Sequence, residues 1–175
     1  MAVSYPPDDF ERLTHKFRSR ALSPPASKVD VLIDLEYLGD VRIVGVLLQV
    51  LANPLEDDEV RIHALEWLRC RQCTTTDRQG IAGAICEIAS KNTNPAVRLH
   101  AVLALAGFAD VEEVQATLGG ITLDANESID IRYCAFTSLE KAGLTPHCKD
   151  VLRQLSADTA LGPCARHAMS LWRST

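Results

Sequence analysis

Basic residues recur through this chain at the interval of a helix hairpin. Arg61, Arg98, Arg132 and Arg166 stand 37, 34 and 34 residues apart, and Lys28 lies 33 residues before the first of them. A repeat of that length is one supersecondary unit, two antiparallel helices and a turn, which cannot bury its apolar face without neighbours. Proline also stands three residues ahead of three members, as Pro25, Pro95 and Pro163. Proline fits the first helical turn because its missing N–H would have had no partner there. Helix starts and the basic register therefore agree independently.

The stretch Asn94 to Phe108 shows the unit most plainly. Asn94 can cap the free amides of the first turn and Pro95 can open the helix. Val97, Ala101, Val102 and Leu105 then fall on one helical face, and Gly107 is expected to end the helix in a left-handed turn. Position by position, the residue before the basic one is Ser27, Val60, Val97, Ile131 and Ala165, and the residue three after it is Val31, Ala64, Ala101, Ala135 and Met169. Small or branched apolar groups there let a neighbouring helix approach closely.

Partner helices fill the intervals. One is expected from Pro7 to Arg20, with Asp8, Asp9 and Glu11 suited to its N-terminus, and the next from Val41 to Leu51, apolar almost all round. A third starts at Thr76 or Asp77 and carries Ile81, Ile85 and Ile88 on one face. The fourth runs from Val111 to about Leu118 ahead of Gly119 and Gly120, and the fifth has Thr145 as cap and Pro146 at its opening. Gly120 to Leu123 is the one β-friendly run and is too short to build a sheet. The fold class expected is all-α, with helix pairs over about 7–38, 40–72, 76–108, 111–142 and 145–173.

Composition narrows what such a chain can do. A net charge of −5 opposes general nucleic-acid binding, which needs a concentrated positive surface. The longest apolar run, Ile43 to Ala52, is about half the roughly 20 residues needed to cross a bilayer. No secretory signal pattern marks the start, and six cysteines are spread over an ordinary core composition, so we read reduced thiols, a soluble protein and a cytoplasmic location.

Val-Arg-Ile-His-Ala at 60 to 64, Val-Arg-Leu-His-Ala at 97 to 101 and Ile-Arg-Tyr-Cys-Ala at 131 to 135 each open the second helix of a hairpin. In this the chain resembles HEAT and HEAT-like repeat proteins, including those of the bilin-lyase type, over roughly residues 25 to 172. The resemblance implies one domain over 1–175, a right-handed α-α superhelix of about five pairs whose second helices line a concave surface. It also implies a structural ladder of Lys28, Arg61, Arg98, Arg132 and Arg166. In the family such an arginine bonds to an acidic residue near the inter-helix turn. That suggests Asp57 or Asp58 for Arg61 and Glu127 for Arg132.

Such repeats serve mostly as protein-binding scaffolds, so the function the resemblance implies is a non-enzymatic scaffold that holds a protein or peptide in its concave groove. The alternatives are a HEAT-like enzyme or chaperone of the bilin-lyase type and a metal-dependent protein-modifying enzyme. HEAT-like deoxyhypusine hydroxylases hold iron with adjacent His-Glu pairs, whereas Ile62-His63, Leu99-His100 and Tyr133-Cys134 occupy the matching places here. HEAT-like DNA glycosylases use a basic groove, where this chain has Asp30, Asp34 and Glu66.

His63 and His100 share a register position, but residues on adjacent helices start about 8 to 10 Å apart, too far for one ion without convergence. Cys70-Arg-Gln-Cys73 is a lone pair without a second at zinc-finger spacing. No metal, cofactor or catalytic constellation is therefore assigned. Positions two, six and nine after each basic residue fall on one helical stripe. The expected partner-binding groove is accordingly Asp30, Asp34, Tyr37, His63, Trp67, His100, Ser138 and Lys141, with Trp67 as anchor. Its acidic and aromatic first half suits a basic partner. For Trp172 the plainer expectation is that it closes the last repeat.

Overall fold

The computed structural model describes residues 8–19, 27–70, 78–143 and 145–172. Among them are ten α-helices and no strand: α1 Asp9–Arg18, α2 Lys28–Tyr37, α3 Ile43–Ala52, α4 Asp58–Cys70, α5 Arg78–Lys91, α6 Pro95–Leu105, α7 Glu112–Leu123, α8 Ile129–Glu140, α9 Pro146–Leu155 and α10 Gly162–Trp172. The protein is all-helical. Pro25, Cys73 and the Thr74 to Thr76 turn lie outside the described residues. The chain divides into two compact units, Met1–Ala64 and Leu65–Thr175, with the division inside α4.

In the first unit α1 packs against α2. Asp8 caps α1 by accepting from the Glu11 amide at 2.8 Å, and α1 buries Phe10, Leu13 and Phe17. Ser27 and Asp30 cap α2 reciprocally, each side chain taking the other's backbone N–H, which satisfies two of the orphan amides of the first turn. Val31, Leu32 and Leu35 of α2 and Leu47 of α3 are fully buried. Val41, expected within α3, lies outside it. Asp40 and Asp8 both bind the Arg42 guanidinium at 2.7 Å, and Arg42 also lies over the Phe10 ring, so residues 40–42 are held as a turn.

In the second unit α5 packs on α6, α7 on α8 and α9 on α10. The first helices also meet one another, α5 with α7 and α7 with α9, as do the second helices α6 and α8. Asn94, Ser128 and Thr145 cap α6, α8 and α9 through their side chains, as the local sequence of the first and third predicts.

Two further local expectations are overturned. Gly107 does not adopt the left-handed conformation, which among the described residues belongs to Gly39 and Gly143. α6 instead tightens into a single 3-10 turn over Ala106–Phe108, where Arg78 donates to the Gly107 carbonyl. α7 does not stop near Leu118 but continues through Gly119 and Gly120 to Leu123. Gly119 is buried, and a Cβ there would lie 2.9 Å from Val151 Cγ2 of α9 and 2.7 Å from His147 Nε2. Its missing side chain admits α9, and tertiary packing outweighs its poor helix propensity. The β-friendly residues 120–123 simply finish this helix.

Candidate functional site

The register residues build a repeated staple. Arg61 donates to the Leu51 carbonyl at 3.2 Å, Arg98 to Ala89 at 2.9 Å, Arg132 to Thr122 at 3.0 Å and Arg166 to Ser156 at 2.5 Å. Each acceptor lies at the C-terminal end of the preceding helix, or just past it, where carbonyls lack intrahelical partners and the helix dipole favours a cation. Three members also reach a carboxylate in the turn of the following pair. Lys28 meets both oxygens of Glu56 at 2.7 and 2.8 Å, Arg98 pairs with Glu127, and Arg132 pairs with Asp158 at 2.5 Å.

This corrects the expected pairing, because Glu127 serves Arg98 and not Arg132. Within its own hairpin each arginine is turned onto the end of the first helix. For Arg98 and Arg132 the acid that completes the set comes from the next turn along. Arg61 has only the more distant Asp58, 3.8 Å away, and its buried Nε has no hydrogen-bond partner. Three donors hold the Asp158 carboxyl down to about 2, first the Leu161 amide, then the Arg132 guanidinium and then the Ala160 amide.

The expected binding stripe is only partly open. On α6 and α8 the position six after the basic residue is buried, as Ala104 and as Ser138. Ser138 is 2% exposed and donates to the Val102 carbonyl of α6 at 3.3 Å, so it belongs to the contact between the second helices and not to a binding surface. The open face lies about one residue back around each helix. On α6 it carries Leu99, His100 and Leu103, all half-buried, and on α8 it carries the half-exposed Ile129 and Tyr133 with Cys134 and Thr137 beside them. Tyr133 is 50% exposed, and its ring stacks on Phe136 with centroids 6.4 Å apart. Lys141 is exposed just past the end of α8. A spacing of two, six and nine missed this face because the first and fifth positions after the basic residue, Leu99 and Leu103 on α6, carry it.

Both histidines of the shared position are held by glutamates. His63 Nε2 lies 2.8 Å from Glu36 Oε1 in the first unit, and His100 Nδ1 lies 3.4 Å from Glu66 Oε1 in the second. Glu36 was not a candidate in the sequence; the signal was its place on α2, one helical pair before His63. Asp30 and Asp34 are exposed, as is Tyr37, while Trp67 is half-buried. Trp172 packs partly buried against a cluster of Phe136, Leu152, Leu155, Leu161, Ala165 and Ala168, the place of a residue that closes a core.

Among the described residues no three His, Cys, Asp or Glu side chains gather as they would for a metal ion. No described helix is long and apolar enough to cross a membrane. A pocket of about 360 Å³ between α5 and α7 has Cys86 in its lining with Glu87, Lys91, Glu113 and Thr117. Burial pushes the Cys86 thiol up, the opposite of what a thiolate nucleophile requires. In comparisons with known proteins, no family model and no curated protein matches this chain. Fold and side-chain chemistry together define an all-helical protein whose basic register is occupied by its own structure.

Proposed function

We propose that this chain is a non-enzymatic scaffold of the HEAT-like type that binds a protein or peptide partner through its second helices and works in the cytoplasm. One observation carries the reading. The neighbouring helices α6 and α8 leave partly open an apolar face of Leu99, Leu103, Ile129 and Tyr133, while the arginines of the same helices, Arg98 and Arg132, are spent on internal carbonyls and carboxylates. Such a face is only partly covered by the protein alone and gains when a partner covers the rest, with a tyrosine as the natural anchor. The free cysteines Cys70, Cys86, Cys134, Cys148 and Cys164 fit a reducing compartment.

The test compares the wild-type chain with Ile129→Ser/Tyr133→Ala as baits in lysate of the native host, with captured proteins quantified by mass spectrometry. Both substituted residues are about half exposed, so the melting curve should hardly move. We expect at least one protein captured stoichiometrically by the wild type to fall about tenfold with the variant, the loss of about 1.4 kcal/mol. Equal recovery of every captured protein would remove the α6–α8 face from consideration.

A further inference from the structure

A second surface, in the first unit, is built for a partner of definite chemistry, and we infer that the α2–α3 corner docks a basic amphipathic segment of another protein. The inference extends the scaffold reading to a separate surface. Tyr37 is 86% exposed, Val41 80% and Leu38 42%, three large apolar side chains within five residues. They are not displayed on a loose loop. Gly39 takes φ +65°, a conformation side chains other than glycine rarely adopt, and so sets the reversal. Two carboxylates, Asp8 and Asp40, clamp Arg42 immediately after Val41, and its guanidinium lies over Phe10 with 4.4 Å to the ring centroid. The corner is therefore rigid and presents its apolar groups to solvent, which costs free energy until something covers them.

Charge decides what covers them. Asp30, Asp34 and Tyr37 follow one another at i, i+4 and i+7, so two exposed carboxylates lie on the same α2 face as the tyrosine. Asp30 is tied to its helix cap, where the Ser27 amide and hydroxyl hold its carboxyl below the usual range and keep it ionised, and Lys16 of α1 offsets it in part. No described residue pairs with Asp34. Arg42 adds no free positive charge, because its one charge meets two carboxylates. The result is an apolar corner beside a negative stripe. Nucleic-acid phosphate and anionic lipid headgroups are repelled by it. A second copy of this chain would bring the same stripe and a net charge of −5. A segment with Lys or Arg on one side and Leu or Ile on the other satisfies both features at once, apolar groups on Tyr37, Leu38 and Val41 and cations along Asp30 and Asp34.

The probe is a fluorescein-labelled synthetic peptide of about four helical turns made of Lys and Leu at amphipathic spacing, titrated with the full chain in about 0.15 M salt. The control is the same peptide with Glu in place of Lys. We expect saturable binding of the lysine peptide, about tenfold weaker with Asp34→Lys and with Tyr37→Ala, and unchanged with Ile129→Ser/Tyr133→Ala. Circular dichroism on each variant keeps a folding defect from being read as lost binding. Binding of the lysine peptide that both corner variants leave within twofold of wild type would overturn the inference, and so would equal binding of the glutamate peptide. Loss of a self-associated species in sedimentation on Tyr37→Ala would also overturn it, by showing a second copy on the corner. The α6–α8 variant and the corner variants fail separately, so either surface can be lost without the other.

Discussion

Arg132 of α8 bonds the Asp158 carboxylate at 2.5 Å, joining one helix pair to the turn within the next. The arginine is 6% exposed and holds the Thr122 carbonyl as well, so its removal strands a carbonyl and a carboxylate together. Arg132→Met should lower stability by about 2–4 kcal/mol, read as a lower urea midpoint without a change in slope. A midpoint that does not move would mean the staple contributes nothing to folding.

The same pair gives a pH dependence with a definite sign. The Asp158 carboxyl is lowered from its ordinary 3.8 to about 2, chiefly by the Leu161 amide and next by Arg132. A depressed carboxyl stabilises fully above its unfolded pKa and loses that contribution as pH falls through the folded value. Wild-type stability should therefore drop between about pH 4 and pH 2, and Asp158→Asn should be less stable at pH 7 but fall less steeply across that window. Parallel curves for the two proteins would exclude Asp158 as a source of the acid sensitivity.

Adjacent glycines in α7 should respond in opposite directions. At Gly119 a new methyl group meets Val151 Cγ2 at 2.9 Å, a stiff β-branched side chain in the core, so Gly119→Ala should cost about 1–3 kcal/mol. Gly120 is exposed with open space around its Cβ position, and Gly120→Ala should raise stability by about 0.5–1 kcal/mol through helix propensity and a less flexible unfolded chain. Thermal melts of both variants decide this, and stabilisation by Gly119→Ala would refute the close approach of α9.

Cysteine reactivity should follow burial. Cys148 is fully buried and donates to the Leu139 carbonyl, and burial, followed by the Glu140 charge, pushes its thiol up to about 11. Cys70 is exposed. Brief alkylation at pH 8 with peptide mapping should modify Cys70 at least about tenfold faster than Cys148 or Cys86, with the difference abolished in urea. Equal rates in the folded protein would mean the α9 core opens readily.

What the sequence made legible was local. Asn94 with Pro95 and Thr145 with Pro146 mark helix starts through contacts that span two or three residues, and the structure shows both caps. The partner of Arg132 was not legible, because Asp158 lies 26 residues away and is selected by which turn stacks on α8. Gly119 and Gly120 read as a terminus because propensity says nothing of an arriving helix. The expected stripe and the open face differ by one residue for a related reason. Periodicity gives the spacing of a helical face, but only neighbours decide which face remains open, and at Ser138 the neighbour is α6.

The first helix should be needed for stability, although it begins the chain. α1 turns Asp9, Glu11, Arg12, His15 and Lys16 to solvent and buries Phe10, Leu13 and Phe17 on its other side, the pattern of a helix that covers an apolar neighbour with a polar back. Its neighbour α2 contributes Val31, Leu32 and Leu35, all fully buried. Covering three large side chains is worth about 1.5–3 kcal/mol each, a sum comparable with the roughly 5–15 kcal/mol that holds a typical domain folded. Deleting residues 1 to 24 should therefore lower the melting temperature markedly or drive the protein into aggregates. Phe17→Ala, which keeps the helix and removes one side chain lying under Lys28 Nζ at 5.2 Å, should cost about 3–5 kcal/mol. If the truncated chain melts at the wild-type temperature, α1 is an appendage and α2 is covered by something else.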